Sequence, residues 1–149
     1  MDDATNARPL DKPLPALTDL TRPFWTAAKQ RRLVLQKCAR CATFQFFPKP
    51  WCIECGGREL PWVDAKPTGT VYSFTISRTV GMNLPGWQAD LPLTMCLIDL
   101  DDGVRLYGQL LDCPPDAVAI GLRVRVHFVD LDDTIAVPAF RPLSAGVAA

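Results

Sequence analysis

Histidine is almost absent from this chain, because its 149 residues include only one, His127. Ser-His-Asp or Cys-His catalysis, and any site built from several histidines, would therefore have to use His127 or not exist. The sequence also lacks a G-x-S-x-G motif, a glycine-rich phosphate loop and an H-E-x-x-H motif. These absences argue against a self-contained active site, and so against a free-standing hydrolase or transferase.

An excess of positive charge is also lacking, since sixteen Lys and Arg balance sixteen Asp and Glu. A protein that mainly binds nucleic-acid phosphates is expected to be basic. The balance is uneven, because residues 20–66 hold nine basic and three acidic side chains and residues 67–149 hold five basic and nine acidic. The middle segment is a candidate surface for an anionic ligand, with the alternative that these charges are simply solvated.

Long apolar runs and a secretion signal are the remaining absences. No apolar run reaches the roughly 18 residues of a membrane-spanning helix, and the first residues are acidic and polar. We therefore expect a cytoplasmic protein with no membrane partner. In that reducing compartment the six cysteines are expected to be metal ligands or buried thiols instead of disulfides.

Four of the six cysteines form two C-x-x-C pairs, Cys38 with Cys41 and Cys52 with Cys55, and ten residues separate the pairs. Each pair can lie on a tight turn that points both sulfurs at one position, and two such turns supply the four thiolates of a tetrahedral zinc site. Four protein ligands leave no position for a reactive water, so the pattern predicts one structural zinc per chain. The alternatives are four unrelated buried cysteines and a redox-active pair.

The residues before the cysteines predict a flexible arm and then a helix. Residues 1–16 are rich in proline and have no periodicity, whereas residues 17–36 begin with a helical pattern. Thr21 is the candidate N-cap, Pro23 falls in the first turn, and the helix is expected to end near residues 29–32. A short strand is expected at residues 33–37.

From Thr68 onward the sequence has the alternating pattern of short β-strands separated by turns. Asp101-Asp102-Gly103 between two such runs is a strong hairpin signal. Five strands with a short helical turn at residues 113–121, before the fourth strand, fit a small closed barrel of the OB type, although the pattern does not distinguish it from other small barrels. The strands are predicted near residues 68–79, 93–100, 104–111, 122–131 and 134–140.

Alternation along the first of these strands predicts which side chains enter the barrel. Tyr72, Phe74 and Ile76 are expected inside, and Val71, Ser73, Thr75 and Ser77 outside. A nucleic-acid-binding barrel is expected to present aromatic rings outside, so this alternation disfavours that function. By the same argument His127 is expected on the exposed outer face with Arg123 and Arg125, while Cys96 and Cys113 are expected to be buried.

Taken in order, these segments resemble a known family, the zinc-ribbon/OB-fold acyl-CoA-associated proteins, formerly a domain of unknown function. The resemblance covers residues 20–142 and implies a mainly β protein with an N-terminal helical segment (17–36), a rubredoxin-like zinc ribbon (37–66), an OB-fold domain (67–142) and a tail (143–149). It is carried by Pro23-Phe24-Trp25, residues 33–38, the two cysteine pairs, and residues 69–75, 100–103 and 120–124.

The resemblance also implies a function. Members are typically small subunits beside thiolase-like enzymes, including lipid-transfer-type thiolases and thiolase-fold aldolases that shorten steroid side chains, and they are thought to hold CoA thioesters. It implies a non-catalytic, acyl-CoA-binding accessory subunit of a thiolase-type or aldolase enzyme in lipid, steroid or aromatic acyl-CoA metabolism. The alternative is a single-stranded nucleic-acid-binding zinc-ribbon/OB module.

The family has no crisp CoA motif, so the candidate contact residues come from the chain itself. Several aromatic residues lie in the cysteine segment together with cationic residues. These rings are expected either to pack on the barrel or to bind a nucleotide that carries phosphates. A long loop at residues 81–92 carries Trp87, and such loops are often functional. The expected CoA contacts are Arg32, Arg40, Phe47, Lys49 and Trp51, and the expected partner contacts are Phe24, Trp25 and Trp87.

Overall fold

The computed structural model describes residues 12–79 and 85–143. Most of the predicted arm, nearly all of the predicted tail and the first part of the 81–92 loop lie outside these ranges. Residues 12–18 have no regular structure. Within the described ranges, no helix combines the length and the apolar character needed to span a bilayer.

Helix α1 (Arg22–Lys29) forms where the sequence predicts it. Thr21 occupies the N-cap position but its side chain makes no capping hydrogen bond to the helix. At the other end Arg31 takes a left-handed conformation (φ 62°). The N–H groups of Arg31 and Arg32 donate to the Ala28 and Ala27 carbonyls, each at 2.9 Å, which is the Schellman arrangement that ends many helices.

A small antiparallel sheet follows the helix. It contains β1 (Val34–Lys37), β2 (Phe44–Gln45) and β3 (Trp62–Asp64), with β1 in the centre. The strand predicted at residues 33–37 is therefore confirmed. We call the segment from β1 to β3 the ribbon.

The second sheet is the predicted five-stranded barrel, with strand order β6-β5-β4-β7-β8. A bridge between Leu110 and Phe140 joins its two edges and nearly closes it. Gly103, at φ 82°, lies in the predicted hairpin turn between β5 and β6. The strands are β4 (Thr68–Ser77), β5 (Leu93–Leu100), β6 (Arg105–Gln109), β7 (Arg123–Asp130) and β8 (Ala136–Pro142), with a short helix α2 (Pro85–Gln88) before β5 and a 3₁₀ turn (Pro115–Ala117) before β7.

The predicted orientation of side chains on β4 is wrong in the first half of the strand. Val71 is only 1% exposed, whereas Tyr72 is 50% exposed. The cause is a β-bulge: Val71 pairs with Ile98 and Ser73 pairs with the adjacent Leu97, so Tyr72 is an extra residue. An extra residue shifts the alternation by one. After the bulge Phe74 pairs with the buried Cys96, which places it on the predicted interior side, but the residue is 36% exposed.

The apolar core extends from the barrel through α1 into the ribbon. Phe140, Ile98 and Leu106 are among the largest fully buried side chains of the barrel. Leu35 of β1 and Phe24 of α1 belong to the same buried cluster. The central strand of the ribbon is therefore anchored on the barrel.

Candidate functional site

The four predicted ligand cysteines converge on one point. Their sulfur atoms all lie within 4.8 Å of one another, with 3.6 Å between Cys38 and Cys55 and 3.5 Å between Cys41 and Cys52. Four thiolates about 2.3 Å from a central zinc ion have sulfur–sulfur separations of about 3.8 Å. The spacing fits zinc, and none of the six cysteines forms a disulfide.

Both cysteine pairs use the same local structure. Each C-x-x-C is followed by a residue in the left-handed region, Ala42 at φ 62° and Gly56 at φ 71°. The N–H of that residue donates to the carbonyl of the first cysteine of its pair, from Ala42 to Cys38 at 2.8 Å and from Gly56 to Cys52 at 3.0 Å. Glycine adopts this conformation without strain, which explains the Gly after the second pair.

Hydrogen bonds to the sulfurs favour the thiolate form that a metal requires. The backbone N–H groups of Arg40 and Glu54 each donate to the first cysteine sulfur of their own turn at 3.4 Å. Hydrogen bonds with the side chain and backbone of Thr43 lower the pKa of Cys41 to about 6. Against a lowering hydrogen bond from the Gly57 backbone, burial and the other three cysteines raise the pKa of Cys55 to about 11, so the lowering is not shared by all four sulfurs. With four sulfurs around one point and no open position for water, the arrangement is that of a structural metal site.

A buried pair of glutamines fixes the loop between the two cysteine pairs. The Gln45 amide donates to the Gln36 side-chain oxygen at 2.8 Å, and both residues are buried. The Gln36 oxygen also accepts the Lys49 N–H at 2.9 Å, and the Gln45 oxygen accepts the Ile53 N–H at 3.0 Å. Sequence reasoning missed this pair, because a glutamine in a strand usually faces solvent and its partner lies on another strand.

The loop held by these glutamines presents large apolar side chains to solvent. Phe47 is 67% exposed, Trp51 49% and Ile53 57%, and we call these three residues the ribbon patch. The Phe47 ring stacks on Phe46, with 4.5 Å between centroids, and Phe46 lies 5.3 Å from the buried ring of Phe24. The exposed ring is therefore backed by a row of rings that reaches the core.

The three predicted cationic contacts differ in availability. Arg40 and Lys49 have no side-chain ion pair within the part of the chain that the structure describes. Arg32 donates through Nε and Nη2 to both carboxylate oxygens of Asp64, at 3.0 and 2.9 Å. The guanidinium of Arg32 is therefore already engaged, while Arg40 and Lys49 are open to a ligand.

The three predicted partner contacts differ in how far their side chains are buried. Phe24 is 3% exposed and belongs to the core, so its ring presents no surface. Trp25 and Trp87 are half-buried and line one apolar cavity of about 320 Å³ between residues 12–15 and the barrel. The Lys12 ammonium lies 4.7 Å from the centroid of the Trp87 ring and pairs with Asp90.

The outer face of the barrel carries aromatic rings that the sequence did not predict there. The Arg105 guanidinium lies 3.4 Å from the centroid of the Tyr72 ring and pairs with Asp99 at 2.6 Å. Tyr107, two residues further along β6, is 55% exposed and points to the same side as Arg105. Only the bulge brings Tyr72 to this face, so strict alternation could not place it there.

The predicted burial of His127 and of Cys113 needs adjustment, whereas that of Cys96 is confirmed. His127 lies on the outward side of β7 as expected, but it is half-buried instead of exposed. Cys96 is fully buried, and burial raises the pKa of its thiol to about 11. Cys113 is only half-buried.

Two family models together match most of the chain. Residues 25–61 match the ChsH2 rubredoxin-like zinc ribbon domain, and residues 62–129 match the ChsH2 C-terminal OB-fold domain. Each match falls on the part of the structure that its description names. The cysteine site lies within the first match, and most of the barrel lies within the second.

The proteins that resemble this chain include the following three. A probable enoyl-CoA hydratase alpha subunit of Thermomonospora curvata is 35% identical over 88% of this chain, which spans only 40% of that protein. A DUF35 domain-containing scaffold protein of Methanocaldococcus jannaschii is 27% identical over 70% of this chain and 73% of its own length. A solved chain of the Ltp2-ChsH2(DUF35) aldolase is 34% identical, with a TM-score of 0.77 over 87% of this chain and 98% of that chain.

Proposed function

The chain belongs to the ChsH2 (DUF35) family of proteins with a rubredoxin-like zinc ribbon and an OB-fold domain, and from this premise we propose that it is a non-catalytic accessory subunit of an enzyme that processes CoA thioesters. The observation that carries the proposal is the similarity to nearly the full length of a solved chain from a two-component aldolase. The relative named as a scaffold protein also supports an accessory role.

The chemistry of the side chains supports the non-catalytic part of the proposal. The cysteine site has four protein ligands, so a metal held there has no position for substrate or water. Asp99, Asp101 and Asp130 are each occupied by an arginine in an ion pair. The chain therefore offers a binding surface more readily than a nucleophile with its base.

The partner is proposed to be a thiolase-type enzyme, such as a thiolase, a lipid-transfer-type thiolase or a steroid side-chain aldolase. The aldolase named in the structural comparison supports this class. Exposed Ile53, the member of the ribbon patch outside the proposed CoA contacts, supports a protein contact, because covering a large apolar side chain on a fixed loop lowers the free energy of the complex. Trp25 and Trp87, which line the apolar cavity between residues 12–15 and the barrel, are proposed as further partner contacts.

The CoA-contacting residues are proposed to be Arg40, Phe47, Lys49 and Trp51 of the ribbon, all of which are exposed. Exposed aromatic faces stack on an adenine ring, and cations without a carboxylate partner attract its phosphates. Arg32 is the weakest member of the proposed set, because it would have to leave Asp64 to meet a phosphate.

Calorimetric titration with acetyl-CoA, on the isolated chain and on its complex, tests the ligand. We expect binding in at least one sample, and about a tenfold loss of affinity when Arg40 and Lys49 are both replaced by Gln. Arg58→Gln is the matched control, since it removes one exposed ribbon cation that has no ion pair in the described residues. No affinity in either sample would refute CoA binding. Turnover of acyl-CoA by the purified chain alone would refute the non-catalytic role.

A single-stranded nucleic-acid module is the second candidate, and Tyr72 and Tyr107 on the outer barrel face are the observation that favours it. Against it, Arg105, the cation that lies against the Tyr72 ring, is neutralised by Asp99. Fluorescence anisotropy with a labelled oligonucleotide separates the two functions. Tight binding that weakens steeply with salt would favour the nucleic-acid function, and no binding at low salt would eliminate it.

A further inference from the structure

A second group of cations lies on the barrel, on strands that take no part in the cysteine site. Arg125 of β7 and Arg141 of β8 stand directly opposite each other in the strand pairing. Their side chains therefore point to the same side of the sheet, and like charges at such positions repel. A bound anion between them would offset this cost.

These two arginines line a groove of about 780 Å³. His127 lies two residues after Arg125 and so faces the same side. Arg31 reaches the groove from the end of α1, where the left-handed turn places it beside Phe128 and Asp130. The groove thus gathers cationic side chains from three separate elements.

The charges in and around the groove do not cancel. Arg31 is paired with Asp130 at 2.5 Å and Arg141 with Asp112 at 2.7 Å. Arg125 has no side-chain partner within residues 12–79 and 85–143. Burial first, and then the charges of Arg141 and Arg31, lower the pKa of His127, while Asp112 acts in the opposite direction. The imidazole therefore experiences a net positive surrounding.

We propose that this groove binds the phosphate groups of a small ligand, with Arg125 as the anchoring cation, Arg141, which pairs with Asp112 through Nε, as a second cation, and His127 as a third contact. Guanidinium groups on opposed residues of neighbouring strands offer several donors to one phosphate, which accepts more hydrogen bonds than a carboxylate does. The site is separate from the ribbon surface proposed for CoA. The phosphate group comes either as the free ion or as part of a nucleotide, and the experiment distinguishes these sources.

The single histidine of the chain makes the test direct, because its imidazole NMR signals need no assignment. The full chain is titrated from pH 5 to pH 8 alone, with inorganic phosphate, with adenosine 3′,5′-bisphosphate and with acetate. We expect phosphate to raise the pKa of His127 by about 0.5 or more, since an anion stabilises the imidazolium. A shift with both phosphate ligands identifies the phosphate group itself, and a shift with the bisphosphate alone identifies a nucleotide.

Variants complete the test. Arg125→Gln is expected to weaken binding of the effective ligand about tenfold, and it should fold because Arg125 is exposed. Arg58→Gln, on the ribbon, is the control and should leave binding unchanged. An unmoved His127 signal with both phosphate ligands, an equal shift with acetate, or equal binding by Arg125→Gln would each overturn the proposal. Acetyl-CoA binding that depends on Arg40 and Lys49 would survive that result.

Discussion

The ribbon and the barrel of this protein are stabilised in different ways. The ribbon strands are four, two and three residues long. The four cysteine sulfurs and a pair of buried glutamines hold the loops between these strands in place. The barrel strands are five to ten residues long and enclose an apolar core. Short strands bury too little apolar surface to fold alone, so the ribbon relies on directional contacts together with the packing of β1 on the barrel, whereas the barrel relies on its own core.

The difference has a functional consequence. Because the barrel is stabilised by its core, its outward-facing residues are not needed for packing. These residues can therefore form the charged groove on β7 and β8. A ribbon fixed by metal and hydrogen bonds can expose Phe47, Trp51 and Ile53 without collapsing around them. The following substitutions separate the two kinds of stabilisation.

The largest effect is expected from Cys38→Ser. Structural zinc in small domains contributes an apparent binding free energy of about 10–16 kcal/mol, so this variant should lose zinc and soluble expression together. Metal analysis of the purified protein and its soluble yield measure both. Cys113→Ser, outside the cysteine site, should keep one zinc per chain. Stoichiometric zinc in Cys38→Ser would show that the site is not the one described.

The barrel core should respond to Phe140→Ala, because this ring is fully buried. Removing a buried Phe side chain costs about 3–5 kcal/mol, which urea unfolding measures. Zinc content in the native state should remain unchanged, since Phe140 is not part of the ribbon. The exposed Tyr107→Ala should change stability by about 0.5 kcal/mol or less. Equal effects from the two variants would contradict an apolar core around Phe140.

A smaller effect is expected from Gln45→Leu. The change removes the acceptor of the Ile53 N–H, the side-chain donor to the Trp51 carbonyl and one of the two donors to the Gln36 oxygen, at a cost of about 1–3 kcal/mol. Hydrogen exchange at the Ile53 amide should accelerate while zinc remains bound. Gln30→Leu, at an exposed position after α1, is the control. An unchanged exchange rate at the Ile53 amide would show that the glutamine pair does not stabilise the loop between the cysteine pairs.

The smallest effect concerns the ion pairs that join the end of α1 to β7. Hydrogen bonds from Arg31 and Lys29 lower the pKa of Asp130 to about 2, below the value of about 3.9 in an unfolded chain. The stabilisation of the folded state by ionised Asp130 is therefore present above pH 4 and is lost as the pH falls towards 2. For so exposed a pair it should be about 1 kcal/mol or less.

Comparison with Asp130→Asn isolates this contribution from the acid release of zinc. The stability difference between the wild type and Asp130→Asn should shrink as the pH is lowered from 5 to 2. Asp116→Asn, at an exposed position, should show no such trend. A difference that stays constant over this range would mean that Asp130 is not stabilised by its two cations.

The sequence predicts best those features that depend on neighbouring residues. The spacing of Cys38, Cys41, Cys52 and Cys55 led to the metal site, because each pair forms its turn locally. Alternation and turn signals led to the five barrel strands for the same reason. Asp101-Asp102-Gly103 is a further case, since one glycine at positive φ determines the hairpin.

Features that depend on distant segments were missed. The bulge at Tyr72 is defined by pairing with β5, and it overturned the predicted orientation of that part of the strand. The Gln36–Gln45 hydrogen bond joins two strands, and the Arg31–Asp130 pair joins α1 to β7. No local pattern signals these contacts, because each partner alone is an ordinary polar residue.

The central claim is that this chain acts as an accessory subunit of a CoA-thioester enzyme. The most direct measurement is purification of the tagged chain from its native source, with identification of bound subunits and an acyl-CoA assay before and after the chain is removed. We expect an enzyme subunit in fixed stoichiometry whose activity or stability falls without this chain, and no activity in the chain itself. Purification of the chain without such a subunit, or turnover by the chain alone, would contradict it.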